Sequence, residues 1–289
     1  MGWLLDKITE AIHDFLVDVV GGIFISIFDD VNSSVGTIAG EVGKTPSQWD
    51  NSIFSMIRNL SDNVIVPIAA IIITYVLCYE LITTITEKNN MRDVDTFIFF
   101  KYLFKAGIAV FLLSHTFDIV MAIFDVSQWV VNQSAAVISN DTYVNVTDIW
   151  LRFQSGLDSM SNGALFLLML EAMIVSLAVK AISILITVVL VNRMIEIYLY
   201  CSVAPIPFAT LTNREWGSMG TNYIKSLLAL AFQAFFIMVI VGIYAVLVHG
   251  LVSAASLHIA LLQMGAYTII LCISLFKTSS ISKSIFGAH

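Results

Sequence analysis

The chain has 289 residues, 58% of them hydrophobic and only 12% charged, with a net charge of −7. Its mean hydropathy is +0.89, and its charge content is about half of the ~25% usual in soluble domains, so it reads as an all-α integral membrane protein. The acidic balance and the lack of clustered Lys and Arg argue against a nucleic-acid-binding surface, which needs such clusters to release counterions.

Residues 1–30 place Leu4, Leu5, Ile8, Ile12, Phe15, Leu16, Val19, Ile23 and Ile27 at helical spacing, with Asp6, Lys7, Glu10, Asp14 and Asp18 largely on the other face. That pattern predicts an N-terminal amphipathic helix. Its most apolar part, residues 15–28, contains Asp18, Gly21 and Gly22 and is short for a crossing of roughly 20 residues. It is expected on the membrane surface or against a partner, with Trp3, Phe15 and Phe24 turned to lipid or to neighbouring subunits. The first residues lack a basic n-region followed by an apolar core and a small-residue cleavage site, so no cleavable signal peptide is expected. Residues 31–63, rich in Asn, Ser, Gly and Thr, read as a loop with one short helix near 49–60.

Five spanning helices are predicted at 64–85, 97–124, 164–190, 224–248 and 255–276. The third is unusually long: residues 165–204 hold only Glu171, Lys180, Arg193 and Glu196 as charges and no Gly or Pro. Pro205 and Pro207 then break it by removing backbone donors, a break tolerated in lipid only where protein or water satisfies the freed carbonyls. Cys78, Cys201 and Cys272 fall inside apolar runs and show no disulfide or metal spacing.

Charge sets the topology. Lys88, Arg92, Lys101 and Lys105, then Arg214 and Lys225, then Lys277 and Lys283 mark cytoplasmic sides by the positive-inside rule. Residues 125–162, with Asp125, Asp141, Asp148 and Asp158 against Arg152 alone, and residues 1–62, whose acids outnumber Lys7, Lys44 and Arg58, fall outside. The expectation is a multi-pass protein of the cytoplasmic (inner) membrane with its N-terminus outside and its C-terminus inside. It divides into an external helix and loop, 1–62, and a polytopic domain, 63–289, with an external loop at 125–162. Asn132, Asn140 and Asn145 lie in sequons of that loop, which is read as an unmodified polar loop.

Ionisable residues inside the membrane are costly and are functional candidates by default. At ~1.5 Å per residue, Glu80 and Lys105 reach similar depths and can meet. Lys180 is expected at a comparable level, and His115, Asp118 and Glu171 in the outer half. Structural pairing that fixes helix registry, the lining of a shared aqueous lumen, and a proton or ion pathway are the three readings. No His-Glu-X-X-His, Gly-X-Ser-X-Gly or phosphate-cradling Gly-Lys loop occurs, and the five His are scattered, so no enzyme, metal or cofactor is expected. Gly217-Ser-Met-Gly220 lies on a polar connector and is read as a simple turn rather than a packing motif.

The most specific pattern runs through residues 193–233. Arg193-Met-Ile-Glu-Ile-Tyr-Leu-Tyr closes the long helix, Ala204-Pro-Ile-Pro-Phe-Ala breaks it, Asn213-Arg-Glu-Trp-Gly makes a connector, and Asn222-Tyr-Ile-Lys-Ser-Leu-Leu-Ala-Leu-Ala-Phe-Gln opens the next span. This order resembles the TrbL-type polytopic subunit of conjugative type IV secretion systems, the family of the sixth VirB component, particularly its Gram-positive versions. The long amphipathic N-terminal segment departs from it. The resemblance implies a membrane scaffold or channel component that supports DNA–protein transfer, is oligomeric, works with other subunits including a transfer ATPase, and has at most transient contact with the transferred DNA. A secondary transporter or ion-coupled permease is the alternative, although such proteins show repeats and broken helices near the midplane, and a holin-like or toxin-immunity protein is a third. A helix this long has apolar surface outside the lipid, which places homo-oligomer contacts at Met194, Ile197, Tyr198 and Tyr200.

Overall fold

A computed structural model describes residues 2–87, 96–138, 146–253 and 256–288. Lys88, Arg92, Asp141 and the sequons at Asn140 and Asn145 lie outside the described residues. Among those that are described there is no strand. Five helices are long and apolar enough to cross a membrane: Trp3–Val42, Asn51–Thr86, Asn162–Val203, Gly217–His249 and Leu257–Phe286. A sixth candidate is the bent pair Phe99–Ser114 and Thr116–Val137. The helices divide into two compact units: Met1–Gly43 with Val131–Val191 and Phe235–Thr278, and Lys44–Val130 with Asn192–Ala234 and Ser279–His289. Neither unit coincides with the expected division at 62/63.

The first unit is built around α1 (Gly2–Val42), a single helix of 41 residues. The stretch 31–42, expected as loop, continues this helix because Val31, Ile38 and Val42 extend the buried stripe begun by Val20, Phe24, Ile27 and Phe28. Asn, Ser and Gly are weak helix formers, but tertiary packing of that stripe overrides propensity. Phe24 is fully buried within its own chain, against Phe28, Trp150 and Phe153, rather than turned to lipid or a neighbour, while Trp3 and Phe15 are exposed. Gly21 makes room for the α7 helix (Val146–Leu157), since a Cβ there would lie 2.4 Å from the Trp150 ring.

The long helix α8 (Asn162–Val203) has 42 residues, and its first part runs parallel to α1. His13 meets Asn162 at 3.0 Å and Ser34 meets Ser183 at 2.9 Å, each pair 149 residues apart. The same unit holds a buried contact of 2.9 Å between Tyr244 and Thr268, which joins α10 (Gly217–His249) to α11 (Leu257–Phe286).

In the second unit, after the single turn α2 (Pro46–Trp49), Asp50 caps α3 (Asn51–Leu60) by accepting from the backbone N–H groups of Ser52 and Ile53 at 2.8 and 2.9 Å. A π turn, Ser61–Ile65, leads into α4 (Val66–Glu87). Its cause is local: Pro67 has no N–H to give, and Val66 donates to Ser61 five residues back.

The expected span 97–124 is two helices, α5 (Thr96–Ser114) and α6 (Thr116–Ile138), meeting at 67°. Three successive side chains at the joint bind carbonyls of the preceding turn: Ser114 to Val110, His115 to Phe111 and Thr116 to Leu112, at 2.7, 3.0 and 2.8 Å. Such back-bonding bends helices. Downstream, Val120, Phe124, Ser127 and Val131 form a buried stripe, so α6 carries on to Ile138 through what was expected to be the start of an external loop.

Candidate functional site

The densest polar arrangement in the second unit lies where α4, α5 and the connector before α10 meet. α8 stops at Val203, and α9 (Pro205–Thr210) starts on a proline, which suits a first helical turn because its missing N–H is not needed there. Pro205, Pro207 and Phe208 are buried, and α9 packs on α4 and α5 through a small core of Ala69, Ile73, Ala109, Leu113 and Ala209. Gly220 sits against α9. A Cβ there would lie 2.6 Å from the Pro207 carbonyl oxygen and from Leu211, so this glycine is a packing residue rather than part of a simple turn.

The connector folds around Asn213. Its side-chain oxygen accepts from the backbone N–H of Glu215 and Trp216 at 2.8 and 2.9 Å, an Asx turn that leads into α10. Its amide donates to Glu80 at 3.3 Å, and Lys105 donates to the other oxygen of the same carboxylate. Next to Glu80 on α4, Tyr79 donates to Glu215 at 2.9 Å, and Tyr75 and Tyr79 stack on Trp216 with ring centroids 5.5 and 6.0 Å apart. The effect is mechanical. Glu80, shared by two donors, clamps α5 and the connector onto α4, and Trp216 lies flat over two tyrosines spaced four residues apart.

On α8, Arg193 is only 4% exposed. Its guanidinium donates to the Leu230 carbonyl at 3.5 Å, and its Nε has no partner. Glu196, one turn on, accepts instead from Lys283 at 2.9 Å. Tyr198 donates to the Pro46 carbonyl at 2.6 Å and lies 6.0 Å from Trp49, and Tyr223 donates to the Tyr200 carbonyl at 2.6 Å.

Of the residues expected to matter, Glu80 and Lys105 are brought together. Asp118 instead pairs with Arg58 at 3.3 Å, with the guanidinium above the Phe117 ring. His115 stacks on Phe111 at 4.4 Å. In the first unit, Glu171 meets His258 at 2.5 Å, while Lys180 is exposed on an apolar groove. Met194, Ile197 and Tyr198, expected at a subunit contact, are 2%, 1% and 4% exposed in a core shared with Ile57, Phe117 and Leu227. They are on the inner face of α8, so they are not free to meet another subunit. Sequence reasoning missed Arg58, Tyr75, Tyr79 and His258 as partners; their signal is only an aromatic or charge at i, i+4 spacing, which many helices share.

These long, apolar, internally satisfied helices define a polytopic helical membrane protein. Residues 31–205 match the family described as TrbL/VirB6 plasmid conjugal transfer like protein. The match covers more than half of the chain, which therefore belongs to this family and is a component of a conjugal transfer system. It begins within α1 and ends at Pro205, so most of the 193–233 pattern lies beyond it. No curated protein matches the chain. No solved structure matches it.

Proposed function

We propose that this chain is a membrane scaffold and channel component of a conjugative type IV secretion system, supporting passage of DNA and protein across the cytoplasmic membrane. The observation that carries the reading is the family match over residues 31–205, which takes in four of the long helices or candidate spans in whole or in part and the Glu80–Lys105 pair. In this reading the charged pairs fix the registry of helices, a use for which buried polar groups are best attested. The N-terminus is outside and the C-terminus inside, by the distribution of Lys and Arg.

The assembly is a homo-oligomer. At 1.5 Å per residue α8 is about 60 Å long, about twice the hydrocarbon thickness, and Ile195, Leu199 and Val203 form an exposed apolar stripe near its end. Exposed apolar surface outside lipid marks an interaction site. With Met194, Ile197 and Tyr198 inside the chain, this stripe is the contact face. The chain works with other transfer subunits, among them a transfer ATPase. Purification of tagged protein from gently solubilised donor membranes tests the reading. Recovery of an oligomer together with other transfer subunits is expected, and a chain that purifies alone as a monomer would remove the scaffold role.

A further inference from the structure

Lys180 is exposed, and among the described residues it has neither a hydrogen-bond nor an ion-pair partner. It stands at one end of a groove of about 570 Å³ walled by Leu170, Met173, Ile174 and Leu177 of α8 and by Ile23 of α1. From Leu170 to Lys180 is about 15 Å of helix. Long helical side chains lean toward the helix N-terminus, which carries the ammonium back over the groove.

We propose that this groove binds an anionic glycerophospholipid, with an acyl chain along Leu170 to Leu177 and the phosphate at the Lys180 ammonium. The chemistry of the lining selects the ligand. Besides the ammonium, the lining has only the Ser176 side chain to offer a polar group, so an extended peptide would leave its own N–H and C=O groups unsatisfied there. A hydrocarbon chain has none to satisfy. A helix of a second copy, about 10 Å across, would lie over this groove rather than fill it. The single cation matches a single negative headgroup, as in basic pockets between membrane helices that hold anionic lipids. An unpaired ammonium on a lipid-facing surface is otherwise costly, and its apolar stem is suited to lie along the groove with the charge at the lipid phosphate. Asp30 is the acid of α1 nearest to Lys180 in register, by the 149-residue offset of the two helices. It does not line the groove.

The test is native mass spectrometry of the full chain, delipidated in mild detergent and titrated with phosphatidylglycerol or phosphatidylcholine of the same acyl chains. The wild type should retain phosphatidylglycerol about fivefold better. K180Q should erase that preference while leaving phosphatidylcholine binding, I174W should weaken both, and D30N should change neither. An absence of preference in the wild type, a preference that survives K180Q, or loss of preference in D30N as well as K180Q would each overturn the proposal, the last by making Lys180 and Asp30 an internal pair. Should a variant fail to fold, a photoactivatable phosphatidylglycerol on the wild-type protein decides. Labelling within residues 170–180 supports the site, and labelling confined elsewhere removes it.

Discussion

Ser34 of α1 and Ser183 of α8 share a hydroxyl hydrogen bond at 2.9 Å, and the 149 residues between them are the same number that separate His13 from Asn162. Two contacts at one offset mean that the helices run parallel over nearly six turns, so residue 13 and the start of α8 are at the same end of the pair. Parallel packing puts the N-terminus on the same side as the start of α8, as the proposed topology also does. In a protein with Cys78, Cys201 and Cys272 replaced, cysteines at Ser34 and Ser183 should cross-link on mild oxidation, and so should cysteines at His13 and Asn162. A cross-link between positions 13 and 183 instead would show the helices to be antiparallel.

The Glu80–Lys105 pair should be coupled in stability. Glu80 is 16% exposed and Lys105 35%, so the loss on breaking the pair falls below the ~3–5 kcal/mol of a fully buried one; about 1–3 kcal/mol is expected for Glu80→Gln or Lys105→Met. The double variant should recover part of it, measured by unfolding in detergent. Glu80→Gln should also loosen the connector, because Asn213 donates to the same carboxylate. Strictly additive losses would show that the two residues act independently.

Arg193 tests what a buried cation contributes to the fold. Its buried guanidinium has one long carbonyl contact and an unpartnered Nε, and replacing poorly satisfied buried charge by an apolar side chain is often neutral or stabilising. Arg193→Met should therefore keep the folded protein at its normal level, with stability unchanged or raised by about 1 kcal/mol. A loss of several kcal/mol on thermal unfolding would show that the Leu230 contact is a main support of the fold.

Gly220→Ala should cost about 1–3 kcal/mol by overpacking, because the new methyl would press on the Pro207 carbonyl and Leu211. Gly22→Ala, with nothing near its Cβ position, is the matched control and should be neutral or slightly stabilising by helix propensity. The comparison is read from melting curves of the two purified variants; equal melting would mean that α9 and α10 are not in close contact.

Orientation is checked by thiol labelling in intact cells. A cysteine at Ser159, exposed just before α8, should react with an impermeant reagent, and one at Ser218, exposed at the start of α10, should not. Ser282 is unsuitable for this purpose, being buried with its hydroxyl on the Ala229 carbonyl. Labelling at 218 from outside would reverse the topology.

The helices that were legible in the sequence are those whose charges are sparse and whose backbone is self-satisfied: α8, α10 and α11 appear as continuous helices, and Glu80 and Lys105, placed by counting residues along two antiparallel helices, do meet. The bend at His115 was hidden because hydropathy does not register Ser, His and Thr side chains competing for carbonyls. The stretch 31–42 was hidden because its buried residues are thinly spaced among Ser, Gly and Asn. Partners far apart in sequence, such as Arg58 with Asp118 and Glu171 with His258, depend on which helices pack together, and no periodicity encodes that. The burial of Ile197 and Tyr198 is not legible for a related reason: a helix apolar all round does not reveal which of its faces is inward.

The most direct test of the account is transfer itself. A donor cell whose transfer system lacks this chain should lose conjugation by several orders of magnitude, recover it when the chain is supplied in trans, and grow at its normal rate throughout. Unchanged transfer frequency in the deletion donor would contradict the proposed role of this protein in the membrane core of the conjugation machine.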